Sequence, residues 1–340
     1  MDLTYDALVL VSFGGPEGSA DVLPFLENVL RGRDVPKERM LEVAEHYQQF
    51  GGVSPINSDN RTLISLLEQE LADHGMVLPV YFGNRNWHPL LTDTVVQMKE
   101  DGVKRALAVV TSGFSSYSSC RQYLENIESA RQAAGTGAPQ VDKLRVFFNH
   151  PGFIESLAAC TARAIQQIES QRRSECRFVF TAHSIPLSMA EGCQYASQLE
   201  NAIELVADAL GLEHCQLVYQ SRSGPPQQAW LEPDISDAIR ELAADGVTDI
   251  VVVPVGFISA HMEILFDLDR EAKNTCEELG VTMVRADTVG HEPRFIQMLR
   301  ELISERIEGA TPTSVGLLSA APHVCPADCC PGGVSRGRPA

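Results

Sequence analysis

A histidine closes the apolar run Phe178-Val179-Phe180-Thr181-Ala182, and the Ser184-Ile185-Pro186 that follows discourages further extended chain. His183 is therefore expected at the carboxyl end of a buried parallel strand, where open α/β sheets bind their ligands. An imidazole there can accept a proton, hold a metal or satisfy a hydrogen bond in the core. Three carboxylates, Glu263, Asp267 and Glu271, recur at intervals of four, which lines them along one face of a helix. A solvated acidic face is one reading of that row. Against it stand Ile264, Leu265, Phe266 and Leu268, since carboxylates crowded in apolar surroundings repel unless they share a proton or a cation. Beside His183 such a row would make a path for protons or for a borderline divalent metal such as Fe(II).

Cysteines are the other reactive group. Cys120, Cys160, Cys176, Cys193, Cys215 and Cys276 are scattered and expected as buried thiols, whereas Cys325, Cys329 and Cys330 crowd into a tail. In a reducing compartment such crowding suggests metal or iron–sulfur ligation rather than disulfides. The surrounding stretch, 309–340, is rich in Pro, Gly and Ser and reads as disordered.

The elements that must position these groups alternate strand with helix. Apolar runs predict strands at 6–12, 77–83, 106–111, 144–148 and 178–182, and helical spacing predicts helices at 19–31, 36–50, 57–73, 90–101 and 119–133. That alternation implies an α/β protein with parallel sheets flanked by helices. The chain also repeats itself. Val80-Tyr81, Arg85, Pro89, a helix, Asp101-Gly102-Val103, a strand and Ser112-Gly113-Phe114 return as Val218-Tyr219, Arg222, Pro233, a helix, Asp245-Gly246-Val247, a strand and Val255-Gly256-Phe257. Two duplicated α/β units facing one another are expected, with strand ends from both lining a cleft. In this correspondence His183 falls opposite Phe13. One half brings titratable groups and the other hydroxyls and aromatics, an asymmetry suited to an apolar planar ligand.

Length and charge agree. With 340 residues, 44% hydrophobic and 21% charged, two domains of ordinary size are expected. A net charge of −18 argues against nucleic acid as a partner. Neither a signal peptide nor a transmembrane segment is read, so a cytoplasmic location is expected. No G-x-G-x-x-G follows the first strand and no P-loop occurs, which leaves a dinucleotide enzyme without support.

Several motifs, taken together, resemble ferrochelatases: Ser12-Phe13-Gly14-Gly15-Pro16, Gly51-Gly52-Val53-Ser54-Pro55-Ile56-Asn57, Thr181-Ala182-His183-Ser184-Ile185-Pro186, Tyr219-Gln220-Ser221-Arg222, Trp230-Leu231-Glu232-Pro233-Asp234 and Pro254 through Glu263. The resemblance spans about residues 5–308 and is strongest to the actinobacterial type. It implies two Rossmann-like domains of the class II chelatase kind, residues 1–149 with a returning helix in 290–310, and 150–289, followed by a cysteine-bearing tail, 311–340. It implies ferrous iron and coproporphyrin III as substrates and coprohaem as product, in haem biosynthesis. Protoporphyrin IX as substrate, a cobalt-inserting chelatase and a non-catalytic tetrapyrrole carrier remain alternatives. A monomer is expected, with at most transient contact with neighbouring pathway enzymes.

Residue by residue, the resemblance makes His183 and Glu263 the catalytic pair, and His183, Glu263, Asp267 and Glu271 the groups that meet the metal. Phe13 stands where some relatives have a tyrosine that reaches the metal; phenylalanine cannot, and Tyr117 is the substitute or a wall for the macrocycle. Ser54, Arg31 and Arg33 are expected to contact substrate propionates. Cys325, Cys329 and Cys330 match a C-terminal group that holds a [2Fe–2S] cluster, with Cys160 as the expected fourth ligand; a single zinc site is the competing reading. The polar segment Arg31-Gly32-Arg33-Asp34 gives no apolar lip, which favours the four-carboxylate porphyrin.

Overall fold

The computed structural model describes residues 4–32, 35–225 and 227–332. In chain order the elements are β1 (Ala7–Ser12), α1 (Val22–Val29), α2 (Lys37–Gln48), α3 (Ile56–Asp73), β2 (Val80–Asn84), α4 (Leu91–Glu100), β3 (Arg105–Val110), α5 (Gln122–Ala134), β4 (Gln140–Lys143), α6 (Pro151–Gln166), β5 (Arg177–His183), α7 (Leu187–Ala190), α8 (Tyr195–Leu210), β6 (Cys215–Gln220), α9 (Ile235–Ala244), β7 (Asp249–Val253), α10 (Lys273–Leu279), β8 (Thr282–Arg285) and α11 (Pro293–Glu308). They build two four-stranded parallel sheets of the same order, β2-β1-β3-β4 and β6-β5-β7-β8.

Continuous apolar runs form these strands because both faces of each sheet are covered. Along β1, Leu8 and Leu10 point into a central core while Ala7, Val9 and Val11 enter a separate outer core with Leu91, Val95 and Ile127. Along β5, Phe178, Phe180 and Ala182 enter the same central core, and Val179 enters a second outer one with Ile239 and Leu268. The two sheets thus turn one face each toward shared interior packing, which α3, α6, α8 and α11 help to fill.

The repeat extends to single hydrogen bonds. Asn84 N–H donates to the Pro89 carbonyl (2.7 Å) and Tyr219 N–H to the Pro233 carbonyl (2.8 Å), and the chain pinches at Ser112–Val110 (2.7 Å) and Val255–Val253 (2.8 Å) alike. Both third strands lead into a wide π-helical segment, Tyr117–Arg121 in the first half and Ile264–Ala272 in the second.

Two expectations about elements are corrected. The fourth strand is Gln140–Lys143, paired with Arg105–Ala108, and not 144–148. The apolar run that suggested the latter leaves the sheet to fill the central core, where Phe147 meets Phe153 (5.5 Å between ring centres) and Phe295 (5.8 Å). Residues 19–31 are no single helix: a tight turn at Ser19–Asp21 precedes α1.

Candidate active site

β5 delivers His183 to the cleft, and its backbone is fixed from both sides. The Tyr195 hydroxyl donates to the His183 carbonyl (3.1 Å), and Ser184 N–H donates to the Gln220 carbonyl (2.8 Å). The imidazole Nδ1 faces the Ser184 carbonyl at 2.5 Å. A carbonyl can only accept, so Nδ1 carries a proton, and in the neutral ring Nε2 presents its lone pair. Nε2 lies 3.6 Å from Glu263 Oε1, and the two side chains are 36% and 38% exposed, open enough to meet a substrate.

Glu263 begins the π-helix Ile264–Ala272, whose i→i+5 turns are wider than those of an α-helix. Its carbonyl accepts from Gln220 Nε2 (2.8 Å), and its N–H donates to His261 Nδ1 (3.2 Å). One turn on, Asp267 Oδ2 accepts from Gln220 Nε2 (3.3 Å) and from the Ser221 hydroxyl. Ser221 has φ +62°, a left-handed conformation unusual for serine, immediately after β6. Burial, and then the charge of Glu263, push Asp267 up to about 8; burial also raises Glu271. Near neutrality the row therefore holds at least one proton.

The opposite wall is the α1–α2 hairpin, where Val22, Phe25, Leu26 and Ala44 form a small core of their own. His46 on α2 stacks on Phe266 of the π-helix at 3.7 Å between ring centres. Burial, with the charges of Glu263 and Asp267, raises the Tyr47 hydroxyl beyond its ordinary range. Phe13 is exposed, edge-on to Phe25 (6.2 Å) and under the Arg85 guanidinium (5.7 Å).

Other expected contacts fall differently. Ser54 is buried, its N–H donating to the Pro16 carbonyl (2.8 Å) and its side chain filling the space beside Gly15. Arg31 is exposed and donates to Asn28 (2.6 Å); Arg33 lies outside the described residues. The Tyr117 hydroxyl donates to Glu125 (2.9 Å), and its ring borders Gly332 of the tail. The segments around the α1–α2 hairpin also carry exposed apolar side chains that residues 31–34 do not suggest: Phe13, Leu23, Leu41 and Val53.

The tail folds back over both halves. Arg121 donates to the Ala327 carbonyl, and Pro331 packs on Gly192. This brings the Cys325 thiol within hydrogen-bonding reach of Cys120 and of Cys329, and Cys329 lies 3.3 Å from Cys330, sulfur to sulfur; all four thiols are free. The Cys325 thiol, helped by Lys143 and Arg121, pulls Cys120 down to about 6, while Cys325 itself is raised. Cys160 is not the fourth thiol of this group. It is 1% exposed on α6, 4.0 Å from the Thr288 carbonyl and 3.3 Å from Arg163, and burial beside Glu292 raises it to about 12. Cys120 was hidden from sequence reading because only the fold shows where the tail lands; its place in the segment that follows β3, the π-helical Tyr117–Arg121, was the available signal. Gln220, Ser221 and His261 were likewise visible in motifs but carried no spacing rule that assigns them a role.

Two duplicated parallel sheets with a histidine–carboxylate pair at the strand ends define a chelatase fold. The sirohydrochlorin chelatase SirB from Bacillus subtilis subspecies spizizenii, solved in complex with cobalt, shares it with a TM-score of 0.54 and 10% identity, over 90% of this chain and 97% of that one. The chain belongs to the ferrochelatase family, whose sequence model matches residues 5–307. It is 54% identical over 328 residues to a protein of Rhodopirellula baltica named Ferrochelatase, covering 96% of this chain and 93% of the relative. It is 48% identical over 355 residues to the Coproporphyrin III ferrochelatase of Streptomyces coelicolor, covering 98% and 95%.

Proposed function

We propose that this protein inserts ferrous iron into coproporphyrin III, releasing two protons and coprohaem, in the cytoplasm. The observation that carries the chemistry is the His183 Nε2 lone pair facing Glu263 at the head of a partly protonated acidic row. Insertion must remove two N–H protons from the macrocycle as the iron enters. His183 Nε2 accepts a proton at the cleft, and Glu263, 3.6 Å away, stabilises the imidazolium that results. Asp267 and Glu271 relay protons or iron along the π-helix, their groups meeting the metal in succession: among the described residues, no three His, Cys, Asp or Glu side chains form a ready cage for one ion. Phe13 and the α1–α2 hairpin supply the apolar wall on which a bent macrocycle is held, distortion being offset by binding elsewhere. The relatives named for coproporphyrin III support the choice of porphyrin. We assign residues 1–149 with 290–310, and 150–289, as the two domains that close on it.

An anaerobic assay comparing coproporphyrin III with protoporphyrin IX tests this reading. Faster insertion into coproporphyrin, with at least a hundredfold loss of kcat in His183→Ala but retained porphyrin binding, is expected; binding without turnover by the unaltered protein would leave only a carrier.

We propose Cys120, Cys325, Cys329 and Cys330 as holders of a [2Fe–2S] cluster in place of the set containing Cys160: four thiolates are the donors such a cluster takes, although the four side chains as placed form no ready cage. Such a cluster, when bound, would tie the tail to the first half and add a one-electron redox centre there. Cys120→Ser should abolish its visible absorption bands, and Cys160→Ser should leave them intact.

A further inference from the structure

Glu263 stands on the second half of the molecule, yet the loop that carries it is pinned to the first. Asp59, on the first turn of α3, accepts the Ala260 N–H through Oδ2 at 2.9 Å. Its neighbour Asn60 accepts the Ser259 hydroxyl at 3.0 Å and donates 2.8 Å to Ser12 at the end of β1, which also receives the Thr111 hydroxyl at 3.1 Å. Ser12, Asn60 and Ser259 are buried, so these bonds run unbroken by solvent from the first sheet to the loop of the second. The loop is bracketed from behind as well. Gly290 N–H donates to the Ile258 carbonyl (2.8 Å), at a place where any Cβ would lie 2.6 Å from that oxygen, and His291 Nε2 donates to the Asp59 carbonyl (3.0 Å).

We propose that Asp59 and Asn60 are positioning residues for iron insertion, holding the 258–263 loop at fixed distance from the first sheet so that Glu263 stays opposite His183. Neither residue touches His183 or Glu263. They act by fixing Ala260 and Ser259, from which the His261–Glu263 turn departs. Between two bodies that must admit a large planar substrate, a small rotation at this contact would carry Glu263 away from the reacting nitrogens while leaving the apolar walls that bind the macrocycle in place. The expected signature is therefore a loss in kcat and not in KM.

The inference rests on the iron-insertion reading, which the unaltered protein tests separately in the same anaerobic assay. Asp59→Ala should lower kcat about tenfold, with KM for the porphyrin within about twofold and the melting temperature close to that of the unaltered protein. Asp59→Asn keeps an oxygen that accepts the Ala260 N–H and should recover most of the rate. Unchanged kcat in Asp59→Ala, or Asp59→Asn as slow as Asp59→Ala, would overturn the proposal. Should Asp59→Ala fail to fold, Ser259→Ala removes the companion bond by deleting one hydroxyl. A severalfold drop in its kcat is then expected, and an unchanged kcat refutes the pin.

Discussion

Which nitrogen of His183 carries the proton follows from one backbone oxygen, and the direction of proton movement follows from that. With Nδ1–H committed to Ser184, only Nε2 can receive a proton from the cleft. Asp267 is the mirror case, a carboxyl that burial keeps protonated to about pH 8. Its pKa in the unfolded chain is about 4, so between about pH 4 and 8 the folded protein holds a proton that the unfolded chain has released. The resulting contribution is greatest below that window and is lost as pH rises through 8. Asp267→Asn removes the group. In metal-free buffer its melting temperature should match the unaltered protein near pH 4 and exceed it increasingly toward pH 8.5; a constant difference across that range would show that Asp267 is ionised in the fold.

At the level of elements, α6 begins with a buried histidine as its cap. His150 Nδ1 accepts the Gly152 N–H (3.1 Å), and burial, then the charge of Arg145, lower the ring to about 4. Unfolding restores an ordinary histidine, so below pH 6.5 the unfolded chain takes up a proton that the fold refuses. Stability present above 6.5 is lost as pH falls toward 4, by up to about 3 kcal/mol. His150→Asn preserves the cap and should flatten the decline in denaturation midpoint between pH 6.5 and 4.5. Much at this level was legible beforehand. The apolar runs at 6–12, 106–111 and 178–182 became β1, β3 and β5, and the repeated Pro and Asp-Gly-Val segments announced two equal sheets. The run 144–148 misled because apolar character alone does not separate a strand from a core-filling segment. The π-helical turns escaped for another reason: residues four apart fall near one face in either helix type, so the spacing does not separate the two.

Taken whole, the molecule is closed by its last helix and tail. Arg145, fully buried, makes two bonds to Glu305 on α11 (2.9 and 3.0 Å) and one to the Thr313 carbonyl (2.8 Å), and Thr313 N–H returns to Glu305 (2.7 Å). Asn149 extends the seam to the Leu318 carbonyl (2.7 Å) and Val315 N–H (2.9 Å). Glu305→Ala strands a buried guanidinium and should cost about 3–5 kcal/mol, seen in chemical denaturation together with faster proteolysis of the tail. No helix among the described residues is long and apolar enough to cross a membrane. The reading of 309–340 as disordered is corrected for 309–332, where backbone groups and not side-chain pattern make these contacts, which composition does not reveal; residues 333–340 lie outside the described residues.

The docking of α11 also orders events in time. Phe295, Leu299 and Leu302 share the central core with Leu63 and Leu67 of α3, and Arg300 pairs with Glu70 (2.7 Å). Ribosomes add about 5–20 residues per second, so the inner leucines of α3 emerge on the order of ten to forty seconds before the helix that covers them. The first half is thus born with an open flank and waits for a helix made more than two hundred residues later. Nascent chains stalled before Pro293 should engage holding chaperones through that flank, and their release should coincide with the synthesis of α11.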